Sequence, residues 1–459
     1  MRLDLWFLVP GADGRTILTT ADGRLPTAQV DGGEETVAAV GPADTYLRSM
    51  WRCSAAILET HPKAEAVADG EPVPTLVTTD RVPSDWLAPD GLVFQPMRAD
   101  PGQLPAALQP RAAELLAELL AGAPPPPLRP RWARPGWFDR ASGWMGDAAA
   151  HAGRPLTGEP RPFFLRGISA LLRAPTAGPD LFLKAVFPLF HAEPILTRLL
   201  AERFPDQIPP VVAVQADEGW LIVEDIGADW IGEVPKEDRP AALRRGSAAL
   251  VSIQRAFAAD PSARRALLDA GGPYRPLSSL VDSVAAAIGP DGFGIGDHGL
   301  APERAARLLE AIATAVARVE SVGLPESVVH GDFHSGNAAL VGDRIVIIDW
   351  SDAAIGSPAV DLVTWLAWSG DDAAELDAGI GGWVDAWSGI VDADRLRATL
   401  DDILIVGAAY QIVSYDGIRR NLEPATRYTM TGGGDHFLKE LEKVLDRREA
   451  SAPAPVATA

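Results

Sequence analysis

Two acids and an amide in the second half of the chain have the types and spacing to support phosphoryl transfer. Asp332 and Asn337 share one polar segment, and Asp349 follows the next apolar run. Phosphoryl transfer needs an acceptor hydroxyl held in line and magnesium ions that neutralise the triphosphate. A carboxylate can accept the hydroxyl proton, and magnesium prefers oxygen ligands. We therefore predict that all three residues are catalytic, with Asp332 as the base and Asn337 and Asp349 as magnesium ligands.

Short apolar segments must hold these side chains in place. Residues 327–329 lead into the polar segment, and the apolar run 344–348 is typical of a buried strand that ends at Asp349. The sequence therefore predicts that the acids and the amide lie on loops that flank strands.

The polar segment also resembles a known catalytic loop. Residues 330–337, His-Gly-Asp-Phe-His-Ser-Gly-Asn, are similar to the His-Gly-Asp-x-x-x-x-Asn loop of the aminoglycoside phosphotransferase and choline kinase superfamily. Ile-Asp-Trp at 348–350 matches the metal-binding segment of that superfamily. Residues 356–362 are similar to its Gly-x-Pro-x-x-Asp-Leu motif, in which Asp361 would brace the catalytic loop.

This resemblance extends over residues 139–445 and implies a fold and an activity. The implied fold is α+β: a two-lobed protein-kinase-like structure with a small antiparallel-sheet lobe and a large helical lobe, behind a separate α+β N-terminal domain. The implied activity is that of a small-molecule kinase that uses ATP, or GTP, together with Mg²⁺.

The resemblance also implies a nucleotide site in the smaller lobe. Lys184 is the one cation in the apolar run 181–186, where burial is expensive unless the charge is paired or binds an anion. Glu193 is similar, by order and spacing, to the helical glutamate with which the family's lysine pairs. An edge-strand lysine that reaches solvent is the alternative.

Two other segments resemble nucleotide-binding parts of these kinases. Glu224, Asp225 and Ile226 correspond by position to the hinge, whose main chain binds the adenine edge in this superfamily. The predicted smaller lobe, residues 139–226, has no Gly-x-Gly-x-x-Gly sequence, so Ser169, within residues 167–170, is the candidate donor to a phosphate. An ordinary turn serine is the alternative at that position.

Composition divides the chain into five parts. The proline run 124–127 cannot continue the preceding helical pattern and favours an extended linker. Strand-like alternation is frequent before residue 226, and helical periodicity dominates after it. The predicted parts are an N-terminal α+β accessory domain (1–122), a proline-rich linker (123–138), the smaller lobe with its hinge (139–226), the helical lobe (227–449) and a disordered tail (450–459).

The patterns also predict individual elements. Residues 46–59 are predicted as a helix that contains Cys53 as a buried thiol, and 163–173 as a strand paired with 180–187. For the accessory domain we expect a capping, dimerising or regulatory role, and the oligomeric state stays open.

Charge and composition exclude several classes of partner. The 62 acidic residues outnumber the 41 basic ones and give a net charge of -21. Nucleic acids and anionic membranes are bound mainly through Lys and Arg, so neither is expected as a partner. No apolar run approaches the roughly 20 residues of a membrane span, and the N-terminus lacks a signal peptide's continuous apolar stretch. Cys53, the only cysteine, cannot form an intrachain disulfide, and we predict a cytoplasmic protein.

The phosphate acceptor stays open at this point. An aminoglycoside, an amino sugar, a choline-like amine or another antibiotic fits, and the acidic charge would attract a cationic molecule. Aromatic rings and carboxylates suit an ammonium group, although such residues can equally be core and solvated surface. The residues in question are Trp365, Trp368, Asp371, Asp372, Glu375, Trp383, Asp385 and Trp387.

Two other functions also stay open. A sugar kinase of the maltokinase and glucosamine kinase type would share an N-terminal cap, but that branch typically has Gln where this chain has Asn337. A nucleotide-binding regulatory pseudokinase would be favoured by missing catalytic residues, and all of them are present. A zinc site at His330 and His334 is disfavoured because a further ligand is not evident.

Overall fold

The computed structural model describes residues 1–32, 39–63, 68, 70–100, 102–289, 292, 300–367, 372–430 and 432–451. These residues form two compact units. The first contains Met1–Phe187, Trp220–Asp225 and Leu422–Thr429. The second contains Pro188–Gly219, Ile226–Asn421 and the described residues from Met430 onward.

The regular elements follow one another along the chain. The strands are β1 (Arg2–Leu8), β2 (Thr16–Thr20), β3 (Thr27–Asp31), β4 (Ile57–Pro62), β5 (Val73–Thr79), β6 (Leu92–Pro96), β7 (Arg161–Leu165), β8 (Ser169–Ala174), β9 (Leu181–Val186), β10 (Val211–Gln215), β11 (Trp220–Glu224), β12 (Asp229–Trp230), β13 (Tyr274–Arg275), β14 (Ser327–Val329), β15 (Ala338–Val341), β16 (Arg344–Ile347) and β17 (Ala354–Gly356). The helices are α1 (Val40–Met50), α2 (Gln109–Ala121), α3 (Trp137–His151), α4 (Glu193–Arg203), α5 (Arg239–Ala258), α6 (Pro261–Asp269), α7 (Leu280–Ala287), α8 (Pro302–Val322), α9 (Asp361–Ala367), α10 (Ala373–Trp387), α11 (Ala393–Ala398), α12 (Leu400–Asn421) and α13 (Gly433–Ser451).

The first unit begins with a mixed sheet of four strands in the order β3-β1-β5-β4. Strand β1 is parallel to β5 and antiparallel to β3. Leu3, Leu5 and Phe7 alternate along β1 and are fully buried, because successive side chains of a strand point to opposite faces of the sheet. Together with α1 they form one hydrophobic core, and a separate antiparallel pair joins β2 to β6.

A second sheet of the first unit carries part of the predicted nucleotide site. Strands β7, β8, β9 and β11 are antiparallel neighbours in the order β11-β9-β8-β7. Lys184 of β9 lies opposite Leu171 of β8 and Leu221 of β11. Since opposed residues share a face, and residues two apart on a strand do as well, the side chains of Ser169 and Lys184 are on one face.

The second unit is mainly helical and has one large apolar core. Helices α5, α8, α10 and α12 supply much of it, and the fully buried rings include Trp350, Trp365 and Trp387. Two small three-stranded sheets, β12-β15-β16 and β13-β17-β14, lie beside these helices. These sheets hold the segments from which the candidate site is built.

The predicted α+β class, with a sheet-rich N-terminal part and a helical C-terminal part, is confirmed. The five-part division of the chain stays a prediction, since the first unit unites the accessory segment, the linker and strands β7, β8, β9 and β11. The last helix ends at Ser451, and the rest of the predicted tail, 452–459, lies outside the described residues.

Two predicted elements differ from the structure. The predicted helix 46–59 is wrong in extent: α1 ends at Met50, because Arg52 has a left-handed φ of 50°, a conformation that commonly terminates helices. Cys53 therefore follows the helix, although its thiol is buried as predicted. The predicted strand 163–173 is two strands, β7 and β8, joined by a turn in which the Arg166 N–H donates to the Ser169 carbonyl at 2.8 Å.

Among the helices that the structure describes, none combines the length and apolar character required to cross a membrane.

Candidate active site

Asp332 and Asn337 lie on the loop between β14 and β15, as its third and its last residue. The Asp332 side chain is 47% exposed, whereas Asn337 is buried. The Asn337 Nδ2 group donates to the Asp332 carbonyl at 2.9 Å, which leaves Oδ1 of the same amide for another partner. The loop therefore presents one accessible carboxylate and one oriented amide oxygen.

Asp349 reaches the same end of the β15–β16 hairpin as Asn337. The Ile348 N–H, one residue before Asp349, donates to the Asn337 carbonyl at 3.0 Å. Asp349 has a φ of 60°, which is uncommon for a residue with a side chain. The Ser351 hydroxyl donates to Asp349 Oδ1 at 2.6 Å and orients the carboxylate.

The donor set of Asn337 and Asp349 fits magnesium. Both offer oxygen, and magnesium typically takes only one or two protein ligands beside water and phosphate oxygens. Within the described ranges, no three His, Cys, Asp or Glu side chains converge as a metal-holding group. A metal such as zinc, which takes several protein ligands, therefore has no ligand set there.

His330 is a buried link between the loop and the hairpin. Its Nδ1 accepts the Asp332 N–H at 3.3 Å, so the ring proton must be on Nε2, which donates to the Ile348 carbonyl at 2.9 Å. The neutral imidazole thus connects Asp332 with Ile348, the residue before Asp349. The zinc alternative is further disfavoured because both ring nitrogens are used in these hydrogen bonds.

Asp361, at the start of α9, braces the loop from inside the core. Its carboxylate accepts the N–H groups of His330 at 2.9 Å and Gly331 at 2.8 Å, and the Gln254 side-chain amide at 2.7 Å. Burial raises the pKa of Asp361, to about 7, and the three donors oppose that shift. The bracing contact that the resemblance implied is present in the structure.

Gly331 is required by both backbone conformation and space. Its φ is 82°, and a Cβ at this position would stand 2.3 Å from the Asp352 carbonyl oxygen. Any L side chain there would displace the loop on which Asp332 sits.

A polar cluster behind the loop was not predicted from the sequence. The Arg275 guanidinium donates to Asp352 at 3.1 Å and to the Tyr410 hydroxyl at 3.0 Å, and the Ser414 hydroxyl donates to Asp352 as well. Burial raises the pKa of Asp352, although Arg275 opposes the shift. The proximity of Asp352 to Asp349 in sequence was a usable signal, whereas its partners are too distant in sequence to be recognised.

Helix α12 runs beside the catalytic loop. The Gln411 side-chain amide donates to the Gly331 carbonyl, and Tyr415 follows one turn later. Burial, followed by the charges of Asp332 and Asp352, raises the pKa of Tyr415 to about 12. The Tyr415 hydroxyl is therefore protonated at neutral pH and lies within the field of the candidate base.

The residues predicted to bind nucleotide are divided between the two units. Ser169, Lys184, Glu224 and Asp225 belong to the first unit, on or directly after β8, β9 and β11. Glu193, the buried first residue of α4, and Ile226 belong to the second.

Part of the predicted hinge is already engaged within the first unit. The Glu224 carboxylate pairs with Arg154, and Asp225 pairs with Arg173 at 3.1 Å. The Asp225 N–H donates to the Asp180 carbonyl at 2.8 Å, so this donor is not directed at a ligand.

The proposed aromatic and acidic pocket does not exist among the described residues. Trp365, Trp383 and Trp387 are buried in the core, and the Trp365 ring stacks on Phe333 at a centroid distance of 4.2 Å. The acids form ion pairs: Asp372 with Lys236, Glu375 with Arg239, and Asp385 with Arg244. Trp368 and Asp371 lie outside the described residues. The three tryptophans are therefore core residues, as the alternative held, whereas Glu375 is a buried, ion-paired acid rather than solvated surface.

Comparison with known families identifies part of the chain. Residues 180–397 match the sequence model of the phosphotransferase enzyme family (APH). This segment includes Lys184, the catalytic loop, Asp349 and Asp361. No curated protein matches the chain.

Several solved structures are similar at low sequence identity. A choline/ethanolamine kinase family protein from Mesorhizobium loti is 15% identical, with 69% of this chain and 95% of that chain covered and a TM-score of 0.46. A macrolide 2'-phosphotransferase from Brachybacterium faecium is 17% identical, with 63% and 97% covered and a TM-score of 0.42. A choline kinase from Streptococcus pneumoniae is 13% identical, with 61% and 89% covered and a TM-score of 0.42.

Proposed function

We propose that this chain transfers the γ-phosphate of ATP to a hydroxyl group of a small molecule. The match of residues 180–397 to the phosphotransferase enzyme family supports this proposal. The observation that supports this proposal most directly is the frame around Asp332. The half-exposed Asp332 carboxylate lies on a loop whose backbone is held by hydrogen bonds. Asp361 accepts the N–H groups of His330 and Gly331, and the His330 ring accepts the N–H of Asp332. Such a frame positions a base while keeping it accessible to an acceptor.

Asp332 is proposed to accept the proton of the attacking hydroxyl. Its carboxylate is exposed, and the His334 Nε2 atom lies 3.8 Å from Asp332 Oδ2. The His334 Nδ1 atom accepts the Gly336 N–H at 3.0 Å, which fixes the ring and leaves the proton on Nε2, facing the carboxylate. The His334 ring therefore presents an N–H group towards the proposed base.

Asn337 and Asp349 are proposed to hold Mg²⁺. The hydrogen bond between their two segments keeps the amide and the carboxylate at one end of the β15–β16 hairpin. When bound, magnesium would neutralise the charge that develops on the phosphate oxygens. The strained φ of Asp349 supports this role, because such strain persists only where surrounding contacts enforce it.

The nucleotide is proposed to contact Lys184, Glu193, Ser169 and the hinge at Glu224–Ile226. Lys184 and Ser169 share one face of the β8–β9 pair, which suits two donors to one phosphate chain. Because the Asp225 N–H is engaged, the adenine contact would involve other main-chain atoms of the hinge. Whether ATP or GTP is preferred depends on those atoms.

The acceptor is proposed to be an aminoglycoside, an amino sugar, a choline-like amine or another antibiotic. A net charge of -21 would attract such cations over distances set by the ionic strength. The buried thiol of the single cysteine and the need for ATP agree with the proposed cytoplasmic location.

The first experiment tests phosphoryl transfer. ADP release is measured with candidate aminoglycosides, amino sugars, choline-like amines and simple sugars, for the wild type, Asp332→Ala and Asp349→Ala. Asp332→Ala should lower turnover about a hundredfold or more and leave nucleotide binding intact. Asp349→Ala should also weaken the binding of magnesium and ATP, measured by titration with and without Mg²⁺.

Asp343→Ala is the matched control, because this exposed acid lies in the turn of the same β15–β16 hairpin. It should turn over like the wild type. Undiminished turnover in Asp332→Ala would refute the role of the base, and a wild type that does not bind ATP would refute the proposed function itself.

A further inference from the structure

A buried ionic cluster in the first unit connects three segments that are distant in sequence. The guanidinium of Arg129, from the proline-rich linker, donates two hydrogen bonds of 2.7 Å each to the Glu423 carboxylate. Arg111, from α2, reaches the same carboxylate at 3.2 Å. All three side chains are almost fully buried. Glu423 belongs to Leu422–Thr429, the short segment of the first unit that follows α12 in sequence.

The two arginines are shared with other acids, which makes the cluster a network. Arg111 also forms a two-pronged contact with Glu59 of β4, at 3.0 Å and 2.6 Å. Arg129 contacts Glu118 of α2 at 2.9 Å. Planar guanidinium groups suit such forked carboxylate contacts. Because an unpaired buried charge is strongly unfavourable, the network holds α2, β4, the linker and the Glu423 segment together.

The Glu423 segment packs against the turn between β7 and β8. A Cβ on Gly167 would meet the Leu422 Cδ2 atom at 2.9 Å and the Thr426 Oγ1 atom at 3.2 Å. Thr426 is tied back to Glu423, since its N–H and its hydroxyl both donate to the Glu423 carbonyl, at 2.9 Å and 3.0 Å. Gly167 thus permits a close approach that a larger residue would prevent.

The linker holds the same turn through a hydrogen bond. The Trp132 Nε1–H donates to the Arg166 carbonyl at 2.8 Å, and the Trp132 ring is buried against Trp137 with centroids 6.4 Å apart. Both the linker and the Leu422–Thr429 segment therefore contact the β7–β8 turn and hold it in place.

This turn leads directly into Ser169, the first residue of β8, whose side chain shares a face with that of Lys184. We propose that Glu423, Arg111, Arg129 and Trp132 are positioning residues that fix the β7–β8 turn for nucleotide binding. The N-terminal segment of the chain would then set the affinity for ATP without touching it. This inference rests on the proposed function, since it assumes that the phosphates lie against this turn and Lys184.

The sharpest test moves the turn without changing any charge. Gly167→Ala should weaken the binding of magnesium and ATP about tenfold, measured by titration calorimetry, because the added methyl pushes the turn away from Leu422. The double variant Gly167→Ala/Leu422→Ala removes the nearest clashing atom and should restore affinity to within about twofold.

Gly178→Ala is the matched control. It lies in the turn at the other end of β8, and its Cβ would have only an ordinary contact, 3.8 Å from Arg154. Its affinity for ATP should equal that of the wild type.

Two further variants reach the turn from the side of the network and the linker. Glu423→Gln keeps the shape but removes the charge shared by the arginines, and Trp132→Phe removes the hydrogen bond to Arg166 together with part of the buried indole ring. Both should weaken ATP binding and speed amide hydrogen exchange of residues 165–169, measured by mass spectrometry. The exchange measurement does not require nucleotide.

The outcomes separate the two proposals. If the wild type does not bind ATP, the proposed function fails. If the wild type binds ATP and Gly167→Ala and Trp132→Phe bind it equally well, the proposed function stands and the positioning role is overturned. Weaker binding in Gly167→Ala with recovery in the double variant supports the positioning role.

Discussion

Replacing Gly331 by alanine should damage the catalytic loop in a way that can be worked out from the structure. The added Cβ would stand 2.3 Å from the Asp352 carbonyl oxygen, whereas ordinary contacts begin at 3.4 Å. The loop must therefore shift by about 1 Å, and a misplacement of that size costs about a hundredfold in rate. Since Asp332 is the next residue, the shift acts on the proposed base first.

The stability cost of Gly331→Ala has two parts. A non-glycine residue in the left-handed region costs about 1–2 kcal/mol, and forcing an extra methyl into a packed site costs about 1–3 kcal/mol. Gly331→Ala should therefore lower the free energy of unfolding by about 2–5 kcal/mol. Gly342→Ala, in the β15–β16 turn, isolates the first part, because Gly342 has a φ of 59° and no atom within 4 Å of its Cβ position.

The assay compares both variants with the wild type by urea unfolding and by ADP release with the best acceptor found. Gly342→Ala should lose only the conformational part and keep its turnover. If Gly331→Ala is as stable as Gly342→Ala and turns over normally, then the loop can yield at Asp352 and the proposed frame around Asp332 is not rigid.

Two further predictions concern buried charges. Arg239→Met should lower the free energy of unfolding by about 3–5 kcal/mol, because Glu375, 4% exposed and 3.1 Å from Arg239, is left buried without its partner. The double variant Arg239→Met/Glu375→Gln should recover much of that loss. Equal urea midpoints for the single and double variants would contradict the reasoning. The pKa of Glu59 is lowered from 4.5 to about 2, since hydrogen bonds from His61 and Arg111 outweigh the opposing effect of burial. The stability it supplies is present above pH 4.5 and is lost as the pH falls towards about 2. The stability difference between wild type and Glu59→Gln should therefore shrink over that acidic range in urea unfolding, and a constant difference would refute the assignment.

The candidate catalytic residues could be singled out from the sequence because their signal is local. Asp332 and Asn337 lie in one loop, and Asp349 ends an apolar run whose strand character is evident from the sequence. Segments of this kind carry both the chemistry and the secondary structure within a few residues. Residues 180–397 match the model of the phosphotransferase enzyme family, and the individual catalytic roles are proposals.

What the sequence could not predict depends on contacts between distant segments or on single backbone angles. The helix around Cys53 was drawn too long because nothing in the residue type of Arg52 announces a positive φ. The partners of Asp352, Arg275 and Tyr410, are separated from it by many residues. Trp365 at helical spacing could not be assigned to core or pocket until its stacking on Phe333 was known.

The position of Glu423 affects how this chain can be divided. A cut in the proline-rich linker, which composition suggests as a natural boundary, would separate Glu423 from Arg111, and a cut after Arg129 would remove both of its cationic partners. A truncated kinase segment would then carry Glu423 without its counter-charges. The N-terminal segment is thus remote in sequence from Glu423 but bound to it by charge. Exchange of this segment between related proteins therefore requires Glu423 and its arginines to be transferred as a set.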